Sequence, residues 1–277
     1  GLPFGLLSLV LGIWAIPSTT AARQPFEHSS ALLSAVGFAA IFLALNDFAQ
    51  NTVSGWTLLE VCIAIPAIVL LGKRTSSRPD SMVPLDLLKL SSLRKAYVMS
   101  AAAYAVMILI TLSFPFILQQ RFQFEPEAIG LLMVPLPLGI MVAAFVSGRL
   151  VNRYPSAWLC GAGLIILAGG AILLSLMQPG VSTFLIVLAA AVCGIGFGIF
   201  QVPNNHSMLA TAPHSRSGAA SAMLSLSRLI GQTLGALMAA LLFRKIGAQS
   251  GAPIVAAALI AIGLASATLL RKGRSSR

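Results

Sequence analysis

The chain has 277 residues, of which 57% are hydrophobic and only 9% charged, and its mean hydropathy is +0.92. A soluble domain carries about 25% charged residues to face water, so these proportions exclude a water-soluble fold and make lipid the expected solvent. The net charge of +11 does not indicate nucleic acid, because helical membrane proteins gather basic residues in their cytoplasmic loops.

A barrel would show alternating segments of about 10 residues. The apolar runs here are about twice as long and do not alternate, so the expected fold is an all-α integral membrane bundle. A spanning helix needs roughly 20 mostly apolar residues. On that ruler nine spans are expected, near 1–16, 29–47, 54–72, 96–119, 128–148, 157–177, 183–203, 217–243 and 246–270. The third contains Glu60 and the eighth Arg228. The first run has no basic leader and no clean cleavage site, so it reads as a helix entered partway through rather than a signal peptide.

With the C-terminus placed in the cytoplasm, the inside segments hold fourteen basic residues. These are Arg23; Lys73, Arg74, Arg78, Lys89, Arg94 and Lys95; Arg149 and Arg153; Arg216; and Arg271, Lys272, Arg274 and Arg277. The outside loops hold three, Arg121, Arg244 and Lys245. Such a bias is the positive-inside signature and sets the expected orientation. The polar segment 73–95 divides the chain, and its apolar stretch 85–90 could lie along the membrane surface. Six spans with short loops follow it, a number that fits two inverted three-helix repeats.

Catalytic constellations are absent: no phosphate-binding loop, HExxH zinc motif or GxSxG elbow occurs, and no enzyme activity or cofactor is expected. Cys62, Cys160 and Cys193 lie in apolar runs without metal-ligand spacing and read as small hydrophobes. His28, His206 and His214 show no mutual spacing and suggest no metal site.

Two segments stand out. In the first, Gly194, Gly196 and Gly198 lie in an apolar run followed by Pro203, Asn204 and Asn205. The glycines suit close helix packing or gating, and Pro203 with the two asparagines is expected to break the helix. In the second, Arg228 precedes Gly231 and Gly235, which share one helix face. An ionisable residue at membrane depth is costly and marks a functional candidate. Asp47 and Glu60 are the only acids near membrane depth, and with Arg228 they are the transport or coupling candidates. Phe38, Phe42, Phe114, Phe116 and Met133 could supply an adaptable apolar pocket.

These segments resemble the late spans of the fourteen-span drug:proton antiporters of the major facilitator superfamily. There a glycine-rich span ending in proline precedes a span carrying the Arg228, Gly231 and Gly235 pattern. The residues Leu2, Pro3, Phe4 and Gly5 resemble the start of that family's sixth span. Gly148, Arg149, Leu150, Asn152 and Arg153 resemble a degenerate copy of its G-x-L-x-D-R loop, with Asn152 in place of the acid and Pro155 where glycine is usual.

The resemblance covers the whole chain, with exporters of quaternary ammonium compounds and methyl viologen most similar. It implies a truncated sixth span at 1–16, an inserted helix pair at 29–72 and a cytoplasmic linker at 73–95. A C-terminal six-helix transport bundle at 96–270 and a basic tail at 271–277 would follow. It further implies proton-coupled export of hydrophobic, cationic compounds across the bacterial inner membrane. The implied partners are the lipid bilayer, such drugs, protons and the N-terminal half of the same transporter. A metabolite permease and a non-transporting scaffold are the alternatives.

Overall fold

The computed structural model describes residues 28–50, 55–76, 90–212, 217–247 and 250–270, with single positions 5, 10–12, 14 and 88. The expected span at 1–16 therefore lies mostly outside the described residues, as do most of the linker and the tail 271–277.

Nine helices appear among the described residues: α1 (His28–Gln50), α2 (Gly55–Ser76), α3 (Ser91–Gln120), α4 (Pro126–Met133), α5 (Pro135–Leu150), α6 (Ser156–Leu176), α7 (Thr183–Thr211), α8 (Ser217–Ile246) and α9 (Ala252–Leu270). Lipid offers no partner for backbone N–H and C=O groups, so each crossing satisfies them within its own helix. Among the described residues five crossings are long and apolar enough to span a bilayer, α4 and α5 counting together as one of 25 residues; 31–44, 55–71 and 252–268 are shorter apolar stretches.

Three boundaries differ from the sequence expectation. The span expected at 128–148 is broken where Pro135 starts α5. Proline has no N–H for the Leu131 carbonyl, and the Val134 N–H takes that carbonyl instead at 3.2 Å. Next, α3 begins at Ser91, so Arg94 and Lys95 lie on its first turns with exposed side chains. Long basic side chains carry their charge to water from such positions, so a helix can begin within a stretch that reads as polar linker.

The third difference concerns Pro203, which does not break its helix: α7 continues eight residues further, to Thr211. The missing Pro203 N–H leaves the Ile199 carbonyl without its helical donor. The Ser147 hydroxyl of α5 donates to that carbonyl at 3.2 Å, and the Cys160 thiol of α6 approaches the next one, Phe200, at 3.7 Å. A neighbouring hydroxyl that takes over a freed carbonyl is what allows proline inside a membrane helix.

The helices from α3 to α9 form two three-helix units running in opposite directions, with α4 and α5 acting as one span. The first helix of the first unit, α3, packs on the second helix of the other, α8. Reciprocally, α7 packs on α5, and the third helices α6 and α9 pack together. This exchange gives the inverted repeat a spatial form that the sequence does not display. Its core is apolar and closely packed, with Leu109, Ile110, Leu164, Leu167, Phe200 and Ile254 fully buried. A smaller cluster around Leu93, Tyr97, Met208 and Met223 closes the end where α3 begins. The α1–α2 pair packs on itself and touches this bundle through α8.

Candidate functional site

Both exchanged crossings are built on glycine pairs four residues apart. On α8, Gly231 and Gly235 lie against the carbonyls of Ala101 and Ala105 on α3. On α7, Gly194 and Gly198 lie against those of Leu136 and Ile140 on α5. A β-carbon at Gly235 would come within 2.5 Å of the Ala105 oxygen, and one at Gly198 within 2.6 Å of the Ile140 oxygen. Real side chains do not approach so closely, so only glycine permits these backbones to touch. Gly196 faces a different neighbour, Gly163 and Leu167 of α6.

Between α3, α7 and α8 lies a polar layer. Arg228 is the twelfth residue of α8, about 16 Å along it at 1.5 Å per residue. Its guanidinium carbon stands 5.4 Å from the centre of the Tyr104 ring on α3, within reach of the attraction between a cation and an aromatic face. Tyr104 is 8% exposed, and its phenolic oxygen accepts a hydrogen bond of 2.7 Å from the Gln201 amide on α7. The Tyr104 ring is fixed edge-on to Phe197 at 5.1 Å, and Phe197 leans on Phe200 at 6.2 Å. A rigid aromatic corner thus holds one polar face.

Several buried polar atoms here have no hydrogen-bond partner: Arg228 Nε, Ser100 Oγ, Asn204 Nδ2 and Asn205 Oδ1, with Tyr97 Oη and Ser113 Oγ unpartnered further along α3 in either direction. Ser100 lies one turn before Tyr104, and Asn204 almost one turn after Gln201. Because α3 and α7 run in opposite directions, those two turns face the same end of the molecule. Polar atoms left unpaired at such depth are costly. The structural core contains few of them, and this layer concentrates them.

The acids sit elsewhere. Asp47, at the far end of α1, accepts a hydrogen bond of 2.6 Å from the Thr57 hydroxyl at the start of α2, tying the two helices together. Glu60, one turn further along α2, has a buried Oε2 without a hydrogen-bond partner. Neither acid is within the exchanged crossings. An apolar groove of about 760 Å³ separates the α1–α2 pair from α3 and α8, and its walls include Phe38, Phe42, Ile68, Tyr97, Met223 and Ile230. Of the other aromatic candidates, Phe114 is buried in the core, Phe116 packs edge-on to Phe243, and Met133 rests against the core.

The Gly148, Asn152 and Arg153 motif lies at the end of α5 and beyond it. Asn152 and Arg153 are exposed, and a β-carbon at Gly148 would meet nothing within 4 Å. Arg149 places its guanidinium 3.8 Å above Phe145. Among the described residues no group of three or more His, Cys, Asp or Glu could hold a metal ion. Sequence reading missed Tyr104 and Gln201. The available signals were a lone bulky aromatic within an alanine-rich stretch (Ala101, Ala102, Ala103, Ala105) and a lone amide closing an apolar run.

This architecture defines a multi-pass helical membrane protein whose bundle is an inverted pair of three-helix units meeting at a polar layer. The family model described as Major Facilitator Superfamily matches residues 2–236 and 96–277, and the chain belongs to that superfamily. It is similar to the Uncharacterized transporter YebQ of Escherichia coli, with 32% identity over 272 residues, which cover 97% of this chain and 60% of YebQ. It also resembles the Riboflavin transporter RibZ of Clostridioides difficile, 25% identical over 84% of this chain and 51% of RibZ. The Multidrug efflux pump LfrA of Mycolicibacterium smegmatis is 25% identical over 84% of this chain and 46% of LfrA. The chain thus spans about half to three-fifths of the length of these relatives.

Proposed function

We propose that this chain is part of a secondary active transporter that exports hydrophobic compounds, quaternary cations among them, in exchange for protons. The observation that carries the reading is the apolar groove of about 760 Å³. Its size lies within the range of about 300–1,000 Å³ that holds drug-sized ligands, and its Phe and Met walls can re-pack around different shapes. Relatives named as a multidrug efflux pump and a multidrug resistance protein support it. Glu60, with its buried unpartnered oxygen, and Asp47 are the proposed proton carriers among the described residues. The close glycine crossings are proposed as packing contacts that hold the bundle together.

The test is efflux of ethidium from energised cells expressing the full-length protein. Faster efflux than in control cells, abolished by a protonophore, supports the reading; efflux indistinguishable from the control contradicts it. The orientation is proposed from the charge bias, with segment 73–95 and the C-terminal tail in the cytoplasm. Single cysteines at Ser77 and Ser276 in a Cys-free background should resist an impermeant thiol reagent in intact cells, and labelling of both would reverse the topology.

A second reading, a permease for an anionic metabolite, is favoured by one observation. Arg228 lies at membrane depth in a layer where neither Asp47 nor Glu60 is its neighbour.

A further inference from the structure

The bundle from α3 to α9 has only two acids, Glu125 and Glu127, and both are at the start of α4. No carboxylate lies anywhere along α3, α5, α6, α7, α8 or α9. In this setting Arg228 is a partly buried cation with no acid on the helices that surround it among the described residues, and its Nε has no hydrogen-bond partner. A cation at membrane depth is costly unless it is paired or hydrated.

The neighbouring turns of α3 and α7 carry several donors beside one unpartnered acceptor, Asn205 Oδ1. The Tyr104 hydroxyl accepts from Gln201, and its own proton remains to be given. Asn204, 3% exposed, has an unpartnered Nδ2, and the fully buried Ser100 has an unpartnered hydroxyl. A guanidinium fork flanked by amide and hydroxyl donors suits a planar oxyanion, which it can grip through two parallel hydrogen bonds. Residues adjoining this layer (Tyr97, Ala101, Ser227 and Leu229) also line the apolar groove. Charge recognition and apolar burial are therefore neighbours.

We infer that Arg228, Tyr104 and Gln201 form the recognition site for the carboxylate of an amphiphilic compound whose apolar body lies in the groove. Arg228 supplies the charge, and the Tyr104 ring, 5.4 Å from its guanidinium carbon, attracts and positions it. Gln201 fixes the phenol so that its proton points to the incoming oxygen. This inference rests on the transport reading above but not on its quaternary cations: it develops the second reading, and the compounds held at this site are acids and zwitterions.

The test uses the purified full chain in nanodiscs of neutral phosphatidylcholine, with fluorescence anisotropy of three probes sharing one ring system. These are 1-pyrenebutyrate, its neutral amide and a pyrenyl trimethylammonium salt. The acid should bind at least tenfold more tightly than the amide. Arg228→Gln should remove that tenfold preference and leave the ammonium probe unchanged or tighter, and Arg228→Lys should keep part of it. Gln201→Leu should weaken the acid alone, and the exposed Arg149→Gln should change nothing. Equal affinity of the acid and the amide for the unaltered protein overturns the inference. Parallel loss of all three probes in Arg228→Gln also overturns it, because Arg228 would then hold the fold rather than a ligand charge. Failure to carry the acid across a proteoliposome membrane, with its tenfold binding preference intact, would refute the transport reading and leave the site standing.

Discussion

The two exchanged crossings share one backbone device and differ in what surrounds it. In both, glycines four residues apart lie on carbonyls four residues apart, Gly231 and Gly235 on Ala101 and Ala105, Gly194 and Gly198 on Leu136 and Ile140. Where α5 crosses α7 the polar accounts at the proline close, since the Ser147 hydroxyl takes up the Ile199 carbonyl that Pro203 leaves free, while Asn204 Nδ2 and Asn205 Oδ1 further along α7 are unpartnered. Beside α8 and α3 they stay open, with Arg228 Nε and Ser100 Oγ unpartnered. Close approach of helices is thus a matter of packing at both places. The unsatisfied polar atoms distinguish the crossing able to do more.

The largest expected effect comes from breaking the shared device. Gly231→Leu or Gly194→Leu places a branched side chain where even a β-carbon collides with a neighbouring carbonyl, and the helices must separate. Overpacking of this kind costs about 1–3 kcal/mol or more. Each variant should therefore unfold earlier in detergent and lose transport in proportion; normal thermal unfolding with selective loss of transport would assign the glycine a direct role.

A smaller effect is expected at the closed crossing. Ser147→Ala leaves the Ile199 carbonyl buried without a donor, at a cost of about 1–3 kcal/mol. Thermal unfolding should shift down while transport per folded molecule is retained. An unchanged unfolding temperature would mean that the carbonyl needs no hydroxyl.

Arg228→Gln should have the opposite signature. Removing a cation from membrane depth relieves its desolvation, so stability should be equal or higher while transport of a carboxylate-bearing compound falls. The smallest effect is expected at Gly148→Ala, where the added β-carbon meets nothing within 4 Å. Alanine is favoured over glycine inside a helix by about 1 kcal/mol, so slight stabilisation is expected. A marked loss would reveal a partner for that surface.

The crossings from α1 to α9 were legible because their length and apolarity are dictated by the bilayer. Their exact ends were not, since Arg94 and Lys95 can sit on a helix while reaching water. Pro203 misled for a different reason. Proline breaks a helix only if the carbonyl it frees finds no other donor, and that donor, Ser147, lies 52 residues away in the sequence. Arg228 was visible as a charge inside an apolar run. Its companions Tyr104 and Gln201 were not, because a tyrosine among alanines carries no sign of what faces it across a helix pair 97 residues distant in sequence. The pairing of α3 with α8 and of α7 with α5 is likewise a property of the assembled repeat rather than of any stretch of letters.

The central claim is that the layer of Arg228, Tyr104 and Gln201 is a working site while the crossing anchored by Ser147 is structural. The most direct measurement is a paired one, recording thermal unfolding and transport for Arg228→Gln and Ser147→Ala in the same membrane preparation. The account predicts undiminished stability with lost transport of a carboxylate-bearing compound for Arg228→Gln, and lowered stability with retained transport per folded molecule for Ser147→Ala. The reverse pattern, a destabilised Arg228→Gln that still transports beside a stable Ser147→Ala that does not, would contradict it.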